Sequence, residues 1–303
     1  MAAAKKGSSP QKQPPIPPAL AKSLRWLVGP GRPLGLIVLI AAVFGGGWYL
    51  IWRTVGRDVL SSEAYRLTPD AVEITPLPEW IHKLDKDICR EVFRDASLDR
   101  PLSILDDGLV EKIRSAFALN PWVAKVNSVR KYPPARVKVD LVYRRPVCVV
   151  EIGTQRHPVD VEGVLLPNDE FSATEAARYP RLVGVEAAPG TPVGTRWNDP
   201  RVAGAAEIAD ALGSAWEKLG LELIVPLQPA RTDRTQDCQY ELVTRGGRRI
   251  RWGRAPSSTF LGESSAAEKV GKLQKYAAEH GTLEGIKGVQ QLDLTQPGSI
   301  ESR

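Results

Sequence analysis

The sequence predicts an α+β protein with three parts: a single N-terminal transmembrane helix, a small β-α-α-β-β domain, then a mainly antiparallel β domain with flanking helices. Three observations predict it. An uncharged run of 19 residues, Leu34 to Trp52, lies near the start of the 303-residue chain. Behind it, apolar residues recur first at helical and then at two-residue spacing. From Pro146 onward short strand-like runs dominate, in a chain whose 25 prolines and 26 glycines favour many turns over long helices. The expected boundaries are a basic, Pro-rich tail at 1–32, the transmembrane helix at 33–53, and exported domains at 65–145 and 146–303.

The apolar run sits between Arg32 and Arg53. At 1.5 Å per residue it spans about 28 Å, close to the hydrocarbon thickness of a bilayer. Trp48, Tyr49 and Trp52 cluster at its far end, where amphipathic rings favour the interface. A cleaved signal peptide needs a shorter apolar core and a small-x-small site after it, and Trp48 to Arg57 offers none. Lys5, Lys6, Lys12, Lys22, Arg25 and Arg32 precede the run, while Arg53 and Arg57 follow it. By the positive-inside rule the N-terminus is cytoplasmic, the chain crosses the cell inner (plasma) membrane once, and the C-terminus is extracytoplasmic.

The net charge of +6 is unevenly placed. No acid precedes Asp58, so the eight cations before it leave 41 − 8 = 33 basic against 35 acidic side chains, net −2, in residues 58–303. That balance removes the electrostatic footprint of a nucleic-acid-binding domain.

In the exported part, Leu67 to Thr75 reads as a first strand. Leu84, Ile88, Val92 and Ala96 recur at four-residue spacing, a helix capped near Asp85. Asp106 to Leu119 reads as a second helix, with Leu109, Val110, Ile113, Ala116 and Phe117 on one face and Asn120-Pro121 as its stop. Trp122 to Arg130 is a strand and Lys131 to Pro134 a turn. Val137, Val139, Leu141 and Tyr143 then alternate with Lys138, Asp140 and Arg144, the mark of a half-buried antiparallel strand. Two helices can cover one face of such a three-stranded sheet.

Beyond Pro146, Val147–Ile152 and His157–Val161 read as strands, followed by a Glu162-Gly163 turn. Asp199-Pro200 opens a helix through Val202, Ala205, Ile208, Ala209 and Leu212. Arg245-Gly246-Gly247 joins two strands in a tight hairpin. Ser265 to Glu268 is a capping box for a helix with Val270, Leu273 and Ala277 inward, and Val289–Leu294 is a last strand.

Chemistry-bearing residues are scattered. Cys89, Cys148 and Cys238 share no short spacing, and His82, His157 and His280 fall in separate predicted elements. No phosphate loop, nucleophile elbow or H-E-x-x-H occurs. The pairs Asp85/Asp87 and Asp106/Asp107 stand at helix starts, where acids meet the positive end of the macrodipole. The expectation is a non-enzyme without metal, cofactor or small-molecule substrate.

Taken in order, Asn120-Pro121-Trp122-Val123, Val129-Arg130, Tyr132-Pro133, Val137-Lys138-Val139 and Arg144-Arg145-Pro146-Val147 resemble the FtsQ/DivIB family of bacterial cell-division proteins. Val159 to Val164, Tyr179 to Gly184, Gly246 to Gly253 and Leu292-Asp293-Leu294 extend the resemblance. It implies that the first exported domain is POTRA-like and that Pro121, Trp122, Val123, Tyr132 and Pro133 form its structural motif. It also implies a bitopic divisome scaffold that binds FtsB-like and FtsL-like membrane partners during septal wall synthesis. The alternatives are a POTRA-bearing envelope assembly or export factor and a cell-wall enzyme. Apart from the resemblance, Val289, Gln290, Gln291, Leu292, Asp293 and Leu294 contain no proline or lysine. If they form the open edge of the β domain, they offer unpaired backbone groups to a partner strand.

Overall fold

A computed structural model describes residues 32–61, 63–98, 102–168, 171, 173–186, 188–227, 238–283, 291–296 and 301–302. The expected tail up to residue 31, and Val289 and Gln290, lie outside them. Two units emerge, Met1–Tyr65 and Arg66–Arg303. In the first, helix α1 runs from Arg32 to Ser61. Its segment Gly35–Arg53, with mean hydropathy 1.9, is long and apolar enough to cross a membrane. The helix does not stop at residue 53, the expected end of the transmembrane segment; no proline interrupts Arg53 to Ser61.

The second unit begins with β1 (Arg66–Leu67), β2 (Val72–Ile74), α2 (Asp85–Asp95), β3 (Leu102–Ser103), α3 (Leu109–Ala118), β4 (Val123–Tyr132) and β5 (Arg136–Tyr143). The single strand expected over Leu67–Thr75 is divided. Pro69, which cannot donate to a ladder, opens a helical turn through Ala71. β1 therefore pairs with β3 in a small separate sheet, while β2 joins β5 in parallel. The sheet order is β2-β5-β4, with β4 antiparallel to β5. Val137, Val139 and Leu141 are buried while Lys138 and Asp140 are exposed, so one face is apolar. Against it pack Ile88, Val92 and Phe93 of α2 and Leu109, Ile113 and Phe117 of α3.

The acids expected at the helix starts stand there, but neither helix takes a side-chain cap hydrogen bond at its N-cap. Leu84, expected on the apolar face, is the exposed N-cap of α2, and Asp85 and Asp87 lie in its first turn. Asp106 precedes α3 and accepts the Gly108 N–H at 2.9 Å, closing a turn that delays the helix to Leu109. Tyr132, expected to help make the fold, ends β4 with 41% of its surface exposed.

The remaining elements are β6 (Cys148–Ile152), β7 (Gln155–Val159), the single turn α4 (Ala173–Ala176), β8 (Arg181–Leu182), α5 (Pro200–Leu212), α6 (Ala215–Lys218), β9 (Leu221–Pro226), β10 (Gln239–Thr244), β11 (Arg249–Arg254), α7 (Ala266–His280), β12 (Gln291–Asp293) and β13 (Glu301–Ser302). They build one sheet in the order β13-β12-β11-β10-β9-β8-β6-β7. Four of its seven pairings are antiparallel, as expected of a mainly antiparallel domain, while β6–β8, β8–β9 and β11–β12 are parallel. Two parallel neighbours are reached through helical crossovers, α5 and α6 before β9 and α7 before β12, while the connection from β6 to β8 passes through β7 and the single turn α4.

α5 explains how this core closes. Asp199 accepts the Arg201 N–H at 2.9 Å and Pro200 stands in the first turn, as the sequence predicts. The helix is buried almost all round by small residues, Ala203, Gly204, Ala205 and Ala206 among them. A Cβ on Gly204 would lie 2.2 Å from the Tyr240 hydroxyl, which donates to the Arg201 carbonyl at 3.1 Å. α7 begins with the expected capping box: the Ser265 hydroxyl accepts from Glu268 N–H, and the Glu268 carboxylate accepts from Ser265 N–H.

Candidate functional site

The chemistry-bearing side chains are dispersed in the fold as they are in the sequence. His82 Nε2 lies 2.5 Å from a Glu175 carboxylate oxygen, and His280 stacks on Tyr276 with ring centroids 4.2 Å apart. His157 meets Trp197 edge-on at 5.6 Å, its Nε2 is buried without a hydrogen-bond partner, and burial pushes its pKa down. All three cysteines are buried and none is in a disulfide. Burial pushes the Cys89 and Cys148 thiols up to about 12, so both stay protonated at neutral pH and are poor nucleophiles. Among the described residues no group of His, Cys, Asp and Glu is arranged to hold a metal ion.

The strand expected to offer an open edge does not do so where it is described. β12 pairs in parallel with β11, Ile250 opposite Leu292 and Arg251 opposite Asp293. On its other side β13 pairs antiparallel, Leu292 opposite Ser302 and Asp293 opposite Glu301. Leu292 and Leu294 are fully buried in the main core rather than presented outward. Asp293 turns inward on the chain itself, accepting from both the N–H and the hydroxyl of Thr295. The open-edge reading of Val289–Leu294 is therefore corrected for Gln291–Asp293. The reason is the short segment Glu301–Ser302, which carries no alternation that would mark it as a strand.

The motif residues Pro121, Trp122 and Val123 converge on the seam between the two sheets. Asn120 Oδ1 accepts the Trp122 N–H at 3.0 Å, a turn that drops the indole into the core with 2% exposure and sets Val123 inward at the start of β4. The Trp122 carbonyl accepts the Arg144 N–H at 2.8 Å, and the Arg144 carbonyl accepts the Trp80 indole N–H at 3.0 Å. Arg144 then reaches across. Its Nη1 donates to Asp160 Oδ2 at 2.5 Å and to Glu162 Oε2 at 3.2 Å. The other Asp160 oxygen accepts the N–H groups of Glu162 and Val164, at 2.9 and 2.8 Å. The Arg144 and Asp160 side chains are only 14% and 5% exposed, so neither ion can lose its partner cheaply.

A second contact fixes the same seam. Gly194, at φ +86°, lies where a Cβ would stand 3.1 Å from Pro121 Cα, so the loop before Trp197 sits directly on the motif proline. Arg145 pairs with Asp210 of α5 farther along. Pro133 stands apart, in the turn after Tyr132 at the other end of β4. The partnership of Arg144 with Asp160 escaped sequence reasoning. Its trace was the turn Asp160-Val161-Glu162-Gly163, whose aspartate is suited to cap backbone N–H groups.

No protein-family model matches this chain, and no curated protein matches it in sequence. What fold and site define is a mixed α+β, sheet-rich body together with one N-terminal helix apolar enough to span a membrane.

Proposed function

We propose that the chain is a non-catalytic, bitopic scaffold of the FtsQ/DivIB kind, acting in cell division at the inner membrane. Its N-terminus is cytoplasmic and its body extracytoplasmic, where it holds FtsB-like and FtsL-like bitopic partners during septal wall synthesis. The observation that carries this reading is the run from Asn120 to Val147, whose order resembles that family and whose Pro121, Trp122 and Arg144 meet at one seam. The first sheet, β2-β5-β4 with two helices on one face, is compatible with a POTRA-like unit. The work of such a protein is binding, so it requires rigid surfaces and no reactive group; it takes no cofactor, nucleic acid or small-molecule substrate.

Depletion in the native cell tests the proposal. Cells without the chain should elongate without completing septa, and a fluorescent fusion should gather at midcell before constriction. Normal septation on depletion, with the fusion spread evenly round the membrane, would contradict it. Topology has its own test: a reporter fused after Arg303 should be active only outside the cytoplasm, and cytoplasmic activity would reverse the orientation.

A further inference from the structure

The loop from Ala255 to Ser264, with the end of β11 and the start of α7, walls a cavity of about 240 Å3. Three side chains carry the charge of that wall: Arg254, Lys269 and Glu263. Lys269 and Glu263 are only 3% and 9% exposed, so this is not a chance meeting of surface ions. Glu263 Oε1 accepts the Lys269 ammonium at 2.5 Å and the Arg254 backbone N–H at 2.7 Å, and its Oε2 accepts Arg254 Nη1 at 3.3 Å. Gly253 makes room for this carboxylate. At φ +88°, a Cβ there would stand 2.0 Å from Glu263 Oε1.

One carboxylate thus serves two cations, and the wall keeps one positive charge in surplus. Neither cation is saturated. Among the described residues Glu263 is the one hydrogen-bond acceptor of the Lys269 ammonium, which carries three N–H donors, and the Trp252 ring lies 5.1 Å away. The Arg254 side chain gives Glu263 only Nη1, and its guanidinium carbon lies 3.8 Å over the Phe260 ring. Burial lowers the Lys269 pKa, and the neighbouring cations Lys272 and Arg254 push the same way against Glu263. The start of α7 adds little field of its own, because its capping box is complete and Glu268 is itself an acid. A second carboxylate in the cavity would meet buried donors that the chain leaves open.

Size and charge narrow the ligand. The cavity is smaller than the roughly 300–1,000 Å3 of pockets for drug-sized molecules and cofactors, so it suits one side chain better. A single surplus positive charge matches a carboxylate rather than a phosphate, which carries about −1.5 to −2. At the rim Phe260 is 57% exposed, and Leu261 beside it is 92% exposed. We propose that this cavity receives an aspartate or glutamate side chain of a partner protein, whose apolar neighbour covers Phe260 and Leu261. The incoming carboxylate accepts from the Lys269 ammonium and from the guanidinium N–H groups that Glu263 leaves unused, charge-assisted bonds of the stronger kind. The inference deepens the binding reading and rests on it for the existence of a protein partner.

The test uses the full-length chain in lipid nanodiscs and three fluorescein-labelled peptides: Ser-Leu-Glu-Leu-Ser, and its counterparts with glutamine or phosphoserine in place of glutamate. By fluorescence anisotropy the glutamate peptide should bind at least about tenfold more tightly than the glutamine peptide, as a hydrogen-bonded charge does. It should also bind more tightly than the phosphoserine peptide. Lys269→Met should remove most of the binding. Should that variant fail to fold, Arg254→Gln leaves the Lys269–Glu263 pair in place and should weaken binding about tenfold. Phe260→Ser, at the exposed rim, should weaken it about threefold to tenfold. Lys218→Gln, which deletes an exposed cation outside the cavity wall, should change nothing. Equal binding of the glutamate and glutamine peptides, tighter binding of the phosphoserine peptide, absence of saturable binding up to about 1 mM, or wild-type binding by Arg254→Gln would each overturn the proposal. None of these results bears on the depletion phenotype, so the cavity can fail while the division reading stands.

Discussion

In the three-stranded sheet burial alternates residue by residue along β5, whereas β6 of the eight-stranded sheet buries Cys148, Val149 and Val150 in succession. The first sheet has one face to cover, and two amphipathic helices suffice. The second is enclosed more deeply, and its interior includes ions. Arg201 is paired with Asp199 at 2.6 Å, and Lys269 with Glu263 at 2.5 Å, all four side chains under a tenth exposed. Burial lowers the pKa of Lys269 while the Glu263 carboxylate opposes that shift. The lesson is that the small unit is specified by pattern and the large one by pairing. The seam belongs to the second kind, since Arg144 of the first module is held by Asp160 of the second.

The comparison breaks most visibly at Trp122. Trp122→Ala should cost about 3–5 kcal/mol, the usual range for a buried aromatic, and circular dichroism on heating should show a large fall in Tm. A wild-type melt would mean that Trp122 does not anchor the seam. Asp160→Ala leaves Arg144 only the more exposed Glu162 as a partner and removes the acceptor of two N–H groups; about 3 kcal/mol is expected, the low end of the range because Arg144 keeps Glu162 and some exposure. Urea unfolding of the variant measures it.

Smaller effects sharpen the contrast. Gly204→Ala should destabilise by about 1–3 kcal/mol through overpacking against Tyr240, even though alanine is the better helix former. A stabilised variant would show that α5 can move away from β10. Ser265→Ala should remove about 1 kcal/mol with the α7 cap, read by the same melts. The smallest effect concerns pH. The His157 pKa is held down by burial, so its neutral form belongs to the folded state. The unfolded chain then binds the extra proton, and this contribution is intact above about pH 6.5 and lost as pH falls. His157→Gln should flatten the decline of Tm between about pH 7 and 5.5; an unchanged slope would remove His157 as its source.

Much of this fold is legible because much of it is local. The alternation of Val137, Val139 and Leu141, the Asp199-Pro200 start of α5, the Arg245-Gly246-Gly247 hairpin and the Ser265 box each lie within a few residues, and each stands where the pattern places it. β8 has only two residues and no period to read, yet it sits inside the large sheet between β6 and β9. β13 is equally short, and its pairing closes the edge that the sequence left open. At the seam, Pro121 was visible as a helix stop and Trp122 as part of the structural motif that the resemblance implies. Arg144–Asp160 was not, because it depends on where two chain segments meet rather than on any spacing between them.

Native-state hydrogen exchange on the full-length chain tests most directly whether the two sheets are one unit joined at Arg144 and Asp160. Amides of β5 (Val137–Tyr143) and of β6 and β10 should open with the same free energy in the wild type, as parts of one cooperative unit do. In Asp160→Ala the β5 amides should exchange ahead of those in β10. If β5 already opens well before β6 and β10 in the wild type, or if Asp160→Ala leaves all three strands matched, the seam does not couple the sheets and the account is wrong.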